Sequence, residues 1–360
     1  MKVIHKETVS SYRITFSNKI QDFILKQKRK YNKITIVTDT NVYNHYKSFL
    51  QDKDILNIKI KPGERSKSIT VKNHIEEQLL KNNFNRKSLV IALGGGVIGD
   101  LAGFTASTFM RGIDLIHIPT SLVAVVDSSI GGKTAIDNEY GKNLIGTFYN
   151  PKEIIINLDF LNTLPEDEVR QGIAEIIKYS IIEDRKLFLV LQSMKSKFLN
   201  NPKKMVEQII KKCIEIKVKT IQDDFKEGDK RMILNFGHTV GHALEKFHRY
   251  TRSHGDCIAL GMLIEARISF NMRKLPERDY SDIKKVLRKY ALLSLKIRKS
   301  DVSKLIDYMR LDKKNSGGKI TFSLPKNIGE IHKTRGKHSI QIEDKIITDA
   351  ISNVIDEIKN

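Results

Sequence analysis

The alternation of two patterns in the first 160 residues constrains the fold most strongly. Short runs of aliphatic and β-branched residues, each long enough for one buried strand, are separated by segments with helical periodicity. Strands that are apolar on both faces and alternate with helices predict a parallel α/β sheet covered on both sides. The runs are 12–17 (YRITFS), 34–38 (ITIVT), 55–60 (ILNIKI), 88–93 (SLVIAL), 114–119 (DLIHIP) and 153–159 (EIIINLD).

The pattern changes after Leu164. Pro165 is followed by three acidic residues, which is typical of a helix start because acids favour the positive end of the helix dipole. Helical periodicity then continues to about residue 310, and the segments 319–325 and 329–334 predict a small late hairpin before a C-terminal amphipathic helix. We therefore expect an N-terminal Rossmann-like nucleotide-binding domain at 1–164 and a mainly α-helical domain at 165–360.

The net charge of the chain indicates which classes of partner it can bind. Its formal net charge is +21 and its pI is about 9.7. The basic clusters are short, and the sequence contains no basic patch interleaved with aromatic residues and no zinc-finger spacing. We predict no nucleic-acid partner. The excess charge is then a solvated lysine-rich surface, or it helps to steer an anionic substrate.

The apolar runs and the cysteines indicate the cellular compartment of the protein. No run approaches the about 20 residues needed to span a bilayer, and the N-terminal residues MKVIHKETVSSYR lack a signal-peptide core. The two cysteines, Cys213 and Cys257, are too few for a disulfide framework or a four-cysteine metal site. These features predict no membrane association and a cytoplasmic location.

Two glycine-rich segments suit phosphate groups. Gly94, Gly96 and Gly99 match G-x-G-x-x-G between a predicted strand and a predicted helix, where backbone N–H groups can approach a pyrophosphate. The motif does not follow the first strand, so dinucleotide binding and an ordinary tight turn both remain open. Within 126–146, Lys133 and Lys142 each follow a glycine, and such pairs supply a compact positive charge beside exposed backbone.

Three histidines and one glutamate predict a metal site. His238 and His242 lie four residues apart in a helical pattern, so their side chains share one face. His254 opens the next apolar helix, and Glu175 is a candidate carboxylate for a two-histidine, one-acid set of the kind found in catalytic zinc sites. The alternative is that these are ordinary surface or core histidines, but glycines at 237, 241, 255 and 261 indicate helices packed closely around something.

Together these segments resemble the 3-dehydroquinate synthases. The resemblance implies an NAD-binding α/β domain joined to a helical metal- and substrate-binding domain, and a homodimer. The motifs that carry it follow one another in family order. They are GGGVIGDLAGF (94–104), RGIDLIHIPTS (111–121), VDSSIGGKT (126–134), GKNLIGTFYNP (141–151), AEIIKYS (174–180), LNFGHTVGHALE (234–245), HGD (254–256) and LDKKNSGGKI (311–320).

The resemblance also implies a reaction. Family members convert 3-deoxy-D-arabino-heptulosonate 7-phosphate to 3-dehydroquinate and phosphate, the second step of the shikimate pathway to aromatic amino acids. NAD oxidises a secondary alcohol of the substrate, phosphate is eliminated, hydride returns, and an intramolecular aldol step closes the ring. One divalent metal per subunit, zinc or cobalt, acts as the Lewis acid. The implied substrate is a small anionic sugar acid phosphate.

Site residues follow from their positions in the matching motifs. The resemblance assigns the metal to Glu175, His238 and His254, and proton transfer to His242 and Glu227. It assigns Arg111 to a phosphate contact that reaches the partner's active site. Its substrate contacts are Asp127, Lys133, Asn143, Lys178, Lys217, Arg231 and Asn235, with Lys313 or Lys314 as a further one. Its NAD contacts are Asp39, Asn41, Glu64, Lys67, Gly95, Gly96, Val97, Gly99, Asp100, Thr120, Ser121, Lys133, Lys142, Phe160 and Thr163.

Departures from the family pattern are small. Asp256 stands where glutamate is usual, and Ala135 and Ser180 stand where glycine is common. None of them removes a metal-binding or charge-binding position.

Rival functions stay open at this point. In the related 2-deoxy-scyllo-inosose synthases the position of Asn235 is typically glutamate and that of Asp100 is altered. Alcohol dehydrogenases with a similar glycine loop would leave the two Gly-Lys pairs unexplained. A protein that binds NAD or nucleic acid without catalysis would have no use for the metal set.

Overall fold

The computed structural model describes residues 11–201, 203–225, 227–311 and 319–359. The chain divides into two compact units, Met1–Leu164 and Pro165–Asn360. The first is an α/β unit and the second is mainly helical, which confirms the predicted fold class.

A six-stranded sheet forms the centre of the first unit as far as it is described. All of its neighbouring strands are parallel. The strands of the unit are β1 (Arg13–Phe16), β2 (Ile34–Asp39), β3 (Ile55–Ile60), β4 (Leu89–Gly94), β5 (Asp114–Pro119), β6 (Lys133–Asn138), β7 (Gly141–Phe148) and β8 (Glu153–Ile156). The order in the sheet is β1-β8-β5-β4-β2-β3, and β6 and β7 pair separately.

The sheet is buried on both faces, as the apolar runs predict. In β4, Leu89, Ile91 and Leu93 belong to one hydrophobic cluster, whereas Val90 and Ala92 belong to another. Successive side chains of a strand point to opposite faces, so the two clusters lie on opposite sides of the sheet. The helices that cover it are α1 (Ile20–Gln27), α2 (Thr40–Leu50), α3 (Ile69–Lys81) and α4 (Gly96–Thr108).

The segment with the two Gly-Lys pairs is a β-hairpin and not a loop. Lys133 begins β6, and Lys142 lies near the start of β7, which pairs antiparallel with β6. Gly146 is required there, because a Cβ atom on it would lie 2.1 Å from the Thr134 carbonyl oxygen of the facing strand. The glycine that looked like a loop signal therefore permits close pairing of two strands.

The second unit has eight described helices. Its helices are α5 (Glu166–Glu183), α6 (Arg185–Ser193), α7 (Lys203–Asp223), α8 (His238–Phe247), α9 (His254–Asn271), α10 (Glu277–Lys289), α11 (Val302–Arg310) and α12 (Asp344–Lys359). Across the described residues, none of the helices of the chain combines the length and hydrophobicity that crossing a bilayer would require.

Glycines bring α5, α8 and α9 together. A Cβ atom on Gly261 of α9 would lie 2.1 Å from the Gly237 carbonyl oxygen, just before α8. A Cβ atom on Gly255 would lie 2.5 Å from Cα of Gln171 on α5. Side chains at these positions would push the helices apart, so the close packing expected from the glycines is confirmed.

The prediction of the late hairpin is correct only in part, because Pro325 of its first segment pairs antiparallel with Ile331 of its second, while the rest of the first segment pairs elsewhere. Strand β9 (Ile320–Phe322) pairs with β12 (Ile340–Ile342), while β10 (Pro325–Asn327) pairs with β11 (Glu330–Ile331). Gly329 adopts φ +97°, which permits a tight turn directly after β10. That turn takes β11 as the partner of β10 and leaves β9 to pair with a later strand.

Candidate functional site

Three helices each contribute one side chain to a candidate metal centre. Glu175 lies in the middle of α5, while His238 and His254 are the first residues of α8 and α9. Oε1 of Glu175 lies 3.1 Å from Nε2 of His254 and 3.5 Å from Nε2 of His238. One ligand atom from each of the three residues lies within 4.8 Å of the others. Two imidazole nitrogens and one carboxylate are a donor set that suits zinc or cobalt.

The opposite ring nitrogens of both histidines contact acceptors. Nδ1 of His238 lies 3.1 Å from the Phe236 carbonyl oxygen, and Nδ1 of His254 lies 3.3 Å from Oε1 of Glu245. An acceptor at Nδ1 selects the tautomer with its proton there, which leaves the Nε2 lone pair for a metal. The residues present therefore fit a divalent ion.

The electrostatic setting of the centre favours positive charge. Glu175 is fully buried, and its carboxylate pairs with the buried ammonium of Lys178 one turn further along α5. Burial alone would lower the pKa of His254, but hydrogen bonds to Glu175 and Glu245 raise it to about 10. The same two carboxylates would stabilise a bound cation.

His242 lies beside the ligand set without belonging to it. Its ring centroid is 5.4 Å from that of His238, and the two ring planes are nearly perpendicular at 88°. Among the described residues, the set of converging ligand atoms consists of Glu175, His238 and His254. His238 and His242 share a face of α8, but this placement gives only His238 the position of a metal ligand.

The segment that leads into α8 carries further predicted residues. Arg231 is buried, and its Nη1 donates to the Phe225 carbonyl oxygen at 2.7 Å. Nδ2 of Asn235 donates to Oε1 of Glu227 at 2.9 Å, and Glu227 itself adopts φ +63°. A left-handed backbone at a non-glycine residue is costly and is often found at functional sites. Lys217 is buried on α7, which packs against this segment.

Asp224 shapes that segment. Its carboxylate accepts hydrogen bonds from the backbone N–H groups of Gly228, Asp229 and Arg231 at 2.8, 2.7 and 3.0 Å. Burial would raise the pKa of Asp224, but these three donors hold it below its usual value. Asp224 thereby fixes the backbone that follows Glu227.

Most of the predicted NAD residues gather at one edge of the first unit, whereas Lys133 and Lys142 lie on β6 and β7. This strand-end edge consists of the residues that follow the carboxyl ends of β2, β3, β4, β5 and β8. Ligands of open parallel α/β sheets bind at such edges, because successive turns meet there. The residues are Asp39 and Asn41 after β2, Glu64 and Lys67 after β3, Gly95, Gly96, Val97, Gly99 and Asp100 after β4, Thr120 and Ser121 after β5, and Phe160 and Thr163 after β8.

The glycine loop approaches the turn after β5 closely. A Cβ atom on Gly95 would lie 3.2 Å from Oγ of Ser121, and the Thr120 N–H donates to the Gly94 carbonyl oxygen at 3.0 Å. Gly96 begins α4, so the N-terminal N–H groups of that helix are presented at the edge. These features suit the pyrophosphate of a dinucleotide.

Ionic groups cluster around Lys67. Its buried ammonium lies 2.6 Å from the Asp100 carboxylate and 3.8 Å from that of Glu64, which lies 3.6 Å from the Lys142 ammonium. Asn143 of β7 also accepts a hydrogen bond from Lys67. Burial raises the pKa of Asp137 to about 6, with Lys67 opposing the shift and Glu64 adding to it.

The other predicted residues of the first unit lie on distinct elements. Asp127 is in a single π-helical turn, Ala124–Ser128, an irregularity often found at functional sites. Phe160 contacts the Tyr46 ring at 4.7 Å between centroids, and the Tyr46 hydroxyl lies 2.8 Å from Oγ1 of Thr163. Arg111 ends a short 3₁₀ helix with φ +65°.

Two predicted residues lie outside the described part of the chain, and two residues near the metal candidates were not predicted. Lys313 and Lys314 lie outside the described residues. Glu245 follows His242 by three residues on α8, so helical spacing alone could have identified it. Glu265 accepts hydrogen bonds from the N–H groups of Gly237 and Val240 at 2.7 and 3.1 Å, and it thereby caps α8 from α9. No local sequence signal identifies that contact.

Comparison with known proteins identifies the family of the chain. Residues 57–171 match a family model described as the 3-dehydroquinate synthase N-terminal domain, and residues 172–315 match the C-terminal one. The 3-dehydroquinate synthase of Alkaliphilus metalliredigens is 43% identical over 305 residues, which cover 83% of this chain and 85% of that protein. The enzyme of Clostridium beijerinckii is 43% identical over 310 residues, covering 84% and 87%.

Solved structures share the fold across the whole chain. A 2-deoxy-scyllo-inosose synthase complexed with carbaglucose-6-phosphate, NAD+ and Co2+ is 25% identical, with a TM-score of 0.85 and coverage of 95% of this chain and 96% of that one. A 2-epi-5-epi-valiolone synthase from Streptomyces hygroscopicus with NAD+ and Zn2+ bound is 22% identical, with a TM-score of 0.88 and coverage of 99% and 100%. At 22% identity, the valiolone synthase structure supports the fold only. On its motifs, its two family-model matches and its relatives, the chain belongs to the 3-dehydroquinate synthase family.

Proposed function

We propose that the chain converts 3-deoxy-D-arabino-heptulosonate 7-phosphate to 3-dehydroquinate and phosphate, with NAD and one divalent metal. The observation that carries the proposal is the convergence of Glu175, His238 and His254 in a chain 43% identical to curated 3-dehydroquinate synthases. When bound, NAD supplies hydride removal and return, and the metal supplies Lewis-acid polarisation of a substrate hydroxyl.

The protein holds each group with a different unit. Glu175, His238 and His254 of the helical unit would hold zinc or cobalt. The strand-end edge of the α/β unit would hold NAD, with its pyrophosphate at the N-terminus of α4. The glycines at 95 and 96 support this assignment, because side chains there would meet Ser121 and Ser128 at 3.2 and 3.0 Å.

Proton transfer falls to residues next to the metal ligands. His242 lies one turn from His238 on the same face of α8, and an imidazole can accept or donate a proton near neutral pH. Glu227 is held by Asn235 on a left-handed backbone, and its carboxylate is the second candidate. Each would act on a hydroxyl or carbon acid of the substrate as general base or acid.

Cationic and polar groups would hold the two anionic ends of the substrate. In the helical unit, the buried Lys217 and Arg231 would bind the carboxylate, which offers Arg231 a planar acceptor. In the α/β unit, Lys133 and Asn143 would bind the phosphate, with Asp127 beside them orienting a hydroxyl. Lys178 adds a charge next to Glu175. These contacts would orient the substrate so that the eliminated phosphate leaves from a fixed position.

We further propose a homodimer. Strand β7 exposes three apolar side chains, because Leu144, Ile145 and Phe148 are each 46–49% accessible. Thr147 donates to Oγ of Ser107 at 2.9 Å, which places this strand beside the segment that ends at Arg111. Pairing two such surfaces would bury the apolar residues and carry Arg111 to the partner's phosphate site. Sedimentation velocity would show a dimer; a monomer at micromolar concentration would contradict this assembly.

A 2-deoxy-scyllo-inosose synthase activity is the main competitor. Its solved relative shares the fold at 25% identity, compared with 43% for the 3-dehydroquinate synthases. The substrate of the competitor lacks a carboxylate, so the proposed role of the buried Lys217 and Arg231 in binding a substrate carboxylate would not apply to it. Glucose 6-phosphate, the parent of the ligand in that solved complex, is therefore the comparison substrate.

Phosphate release is the decisive assay. The protein is incubated with the heptulosonate phosphate or with glucose 6-phosphate, in the presence of NAD and zinc, with and without a chelator. We expect release from the heptulosonate phosphate alone, loss of release with chelator, and recovery on adding zinc or cobalt. The proposal is contradicted if folded, metal-loaded protein releases no phosphate from the heptulosonate phosphate.

A further inference from the structure

Asp137, near the end of β6, contacts Lys67, Asn143 and Glu64, which have assigned roles, but it has no assigned role itself. We propose that it is a positioning residue, which holds Asn143 in the conformation needed to bind the substrate phosphate. This inference rests on the proposed function, because Asn143 is the phosphate contact that it would serve. The basis is a closed ring of hydrogen bonds through Lys67, Asp137 and Asn143.

The ring has three members. The N–H of Asp137 donates to the Lys67 carbonyl oxygen at 2.8 Å. The N–H of Asn143 donates to Oδ1 of Asp137 at 2.9 Å. The ammonium of Lys67 closes the ring by donating to Oδ1 of Asn143. Each residue thus donates to one neighbour and accepts from the other.

The ring fixes the backbone of Asn143. Asn143 has φ +57°, in the left-handed region that non-glycine residues rarely adopt. Asparagine tolerates this region better than most residues, but a surrounding contact must still select it. The hydrogen bond from its N–H to Asp137 is such a contact. The N–H of Asp137, which donates to the Lys67 carbonyl oxygen, in turn ties the hairpin of β6 and β7 to the turn after β3.

The ring also fixes the side-chain amide of Asn143. An ammonium can only donate, so its contact with Asn143 identifies the amide oxygen and places the NH2 group on the other side. An NH2 group is a donor that suits a phosphate oxygen. Lys67 is itself held by Asp100 at 2.6 Å and is buried, which makes it a firm support. Lys67, predicted as an NAD contact, therefore also contacts the hairpin of β6 and β7.

Two variants of Asp137 distinguish the loss of its hydrogen-bond acceptor from the loss of its negative charge. Asp137→Ala removes the acceptor for the Asn143 N–H, whereas Asp137→Asn keeps an oxygen acceptor and loses the charge. Glu139→Ala is the matched control, because Glu139 is an exposed acid on the same hairpin. Steady-state phosphate release is measured for each, with melting temperatures to establish folding. If Asp137→Ala does not fold, Asp137→Ser replaces it with the same expectation, because its hydroxyl is too short to reach the N–H.

The expected result is a split between KM and kcat. In Asp137→Ala the KM for the heptulosonate phosphate rises about tenfold, as the loss of one ordering hydrogen bond predicts, while kcat changes less than about twofold. Asp137→Asn and Glu139→Ala stay within about twofold of the wild type. A wild-type KM in folded Asp137→Ala overturns the proposal, and so does an Asp137→Asn variant as impaired as Asp137→Ala. An inactive wild type would instead contradict the proposed function.

Discussion

Three side chains from three helices make the candidate metal centre, whereas turns after parallel strands make the strand-end edge. At the metal centre, Glu175 and His254 are far apart in sequence yet lie 3.1 Å apart in space. Their approach depends on glycines that let α5, α8 and α9 pack closely. At the strand-end edge, parallel topology alone places every turn on one side, and backbone N–H groups would provide part of the proposed NAD-binding surface.

This difference predicts unequal sensitivity to substitution. A three-ligand metal site loses its function when one ligand is removed, because no neighbour can replace that donor. The strand-end edge would distribute NAD binding over five turns, so we expect the loss of one side chain there to have a smaller effect.

The largest effect is expected from the histidine pair on α8. His238→Ala removes a ligand, so we expect loss of stoichiometric zinc together with loss of activity. His242→Ala should keep the zinc, because His242 lies outside the ligand set, and should lower kcat by about 10²- to 10⁴-fold through loss of proton transfer. Metal content by mass spectrometry and kcat by phosphate release check both variants. Equal loss of zinc in the two variants would contradict the division of roles.

A smaller effect is expected at Glu245. Glu245→Gln keeps an oxygen facing Nδ1 of His254 but removes the negative charge that favours a cation. We expect zinc affinity to fall about 10- to 100-fold, as for other residues that orient metal-bound histidines. Competition with a zinc chelator measures the affinity. Glu277→Gln, at an exposed acid of the same unit, is the control. Unchanged affinity in Glu245→Gln would mean that packing alone orients His254.

The smallest effect is expected at Asp39 of the strand-end edge. Its carboxylate accepts from the N–H groups of Asn41 and Val42 at 2.9 Å and so caps α2. Asp39→Ala should lower the free energy of unfolding by about 1 kcal/mol, with a modest rise in the KM for NAD, whereas Asp39→Asn should keep the cap. Denaturant unfolding and NAD kinetics measure both effects. Destabilisation by Asp39→Asn equal to that by Asp39→Ala would contradict the capping role.

Much of the fold was predictable, because its signals are local. Apolar runs on both sides of the glycine loop predicted β4 and its neighbours, since burial on two faces requires such runs. The change at Pro165 coincides with the first residue of the second compact unit. The β6–β7 hairpin was missed because its glycines suggested a loop, although Gly146 serves strand pairing.

Local sequence patterns could not show how distant elements pack, although the motifs named Glu175, His238 and His254 as candidates. Helical spacing placed His238 and His242 on one face, but the position of Glu175 beside His238 and His254 depends on how three helices pack. The cap that Glu265 provides to α8 and the contact between Asp137 and Asn143 likewise join residues on different elements. The pairing of β9 with β12 follows from the turn at Gly329, whose φ of +97° no residue pattern specified.

Anomalous diffraction at the zinc edge, from crystals of zinc-loaded protein, tests the metal assignment most directly. The predicted result is one strong peak about 2.0–2.2 Å from an oxygen of Glu175 and from Nε2 of His238 and of His254, with His242 outside bonding distance. A peak ligated by His242, or a peak away from Glu175 in catalytically active crystals, would contradict the assignment.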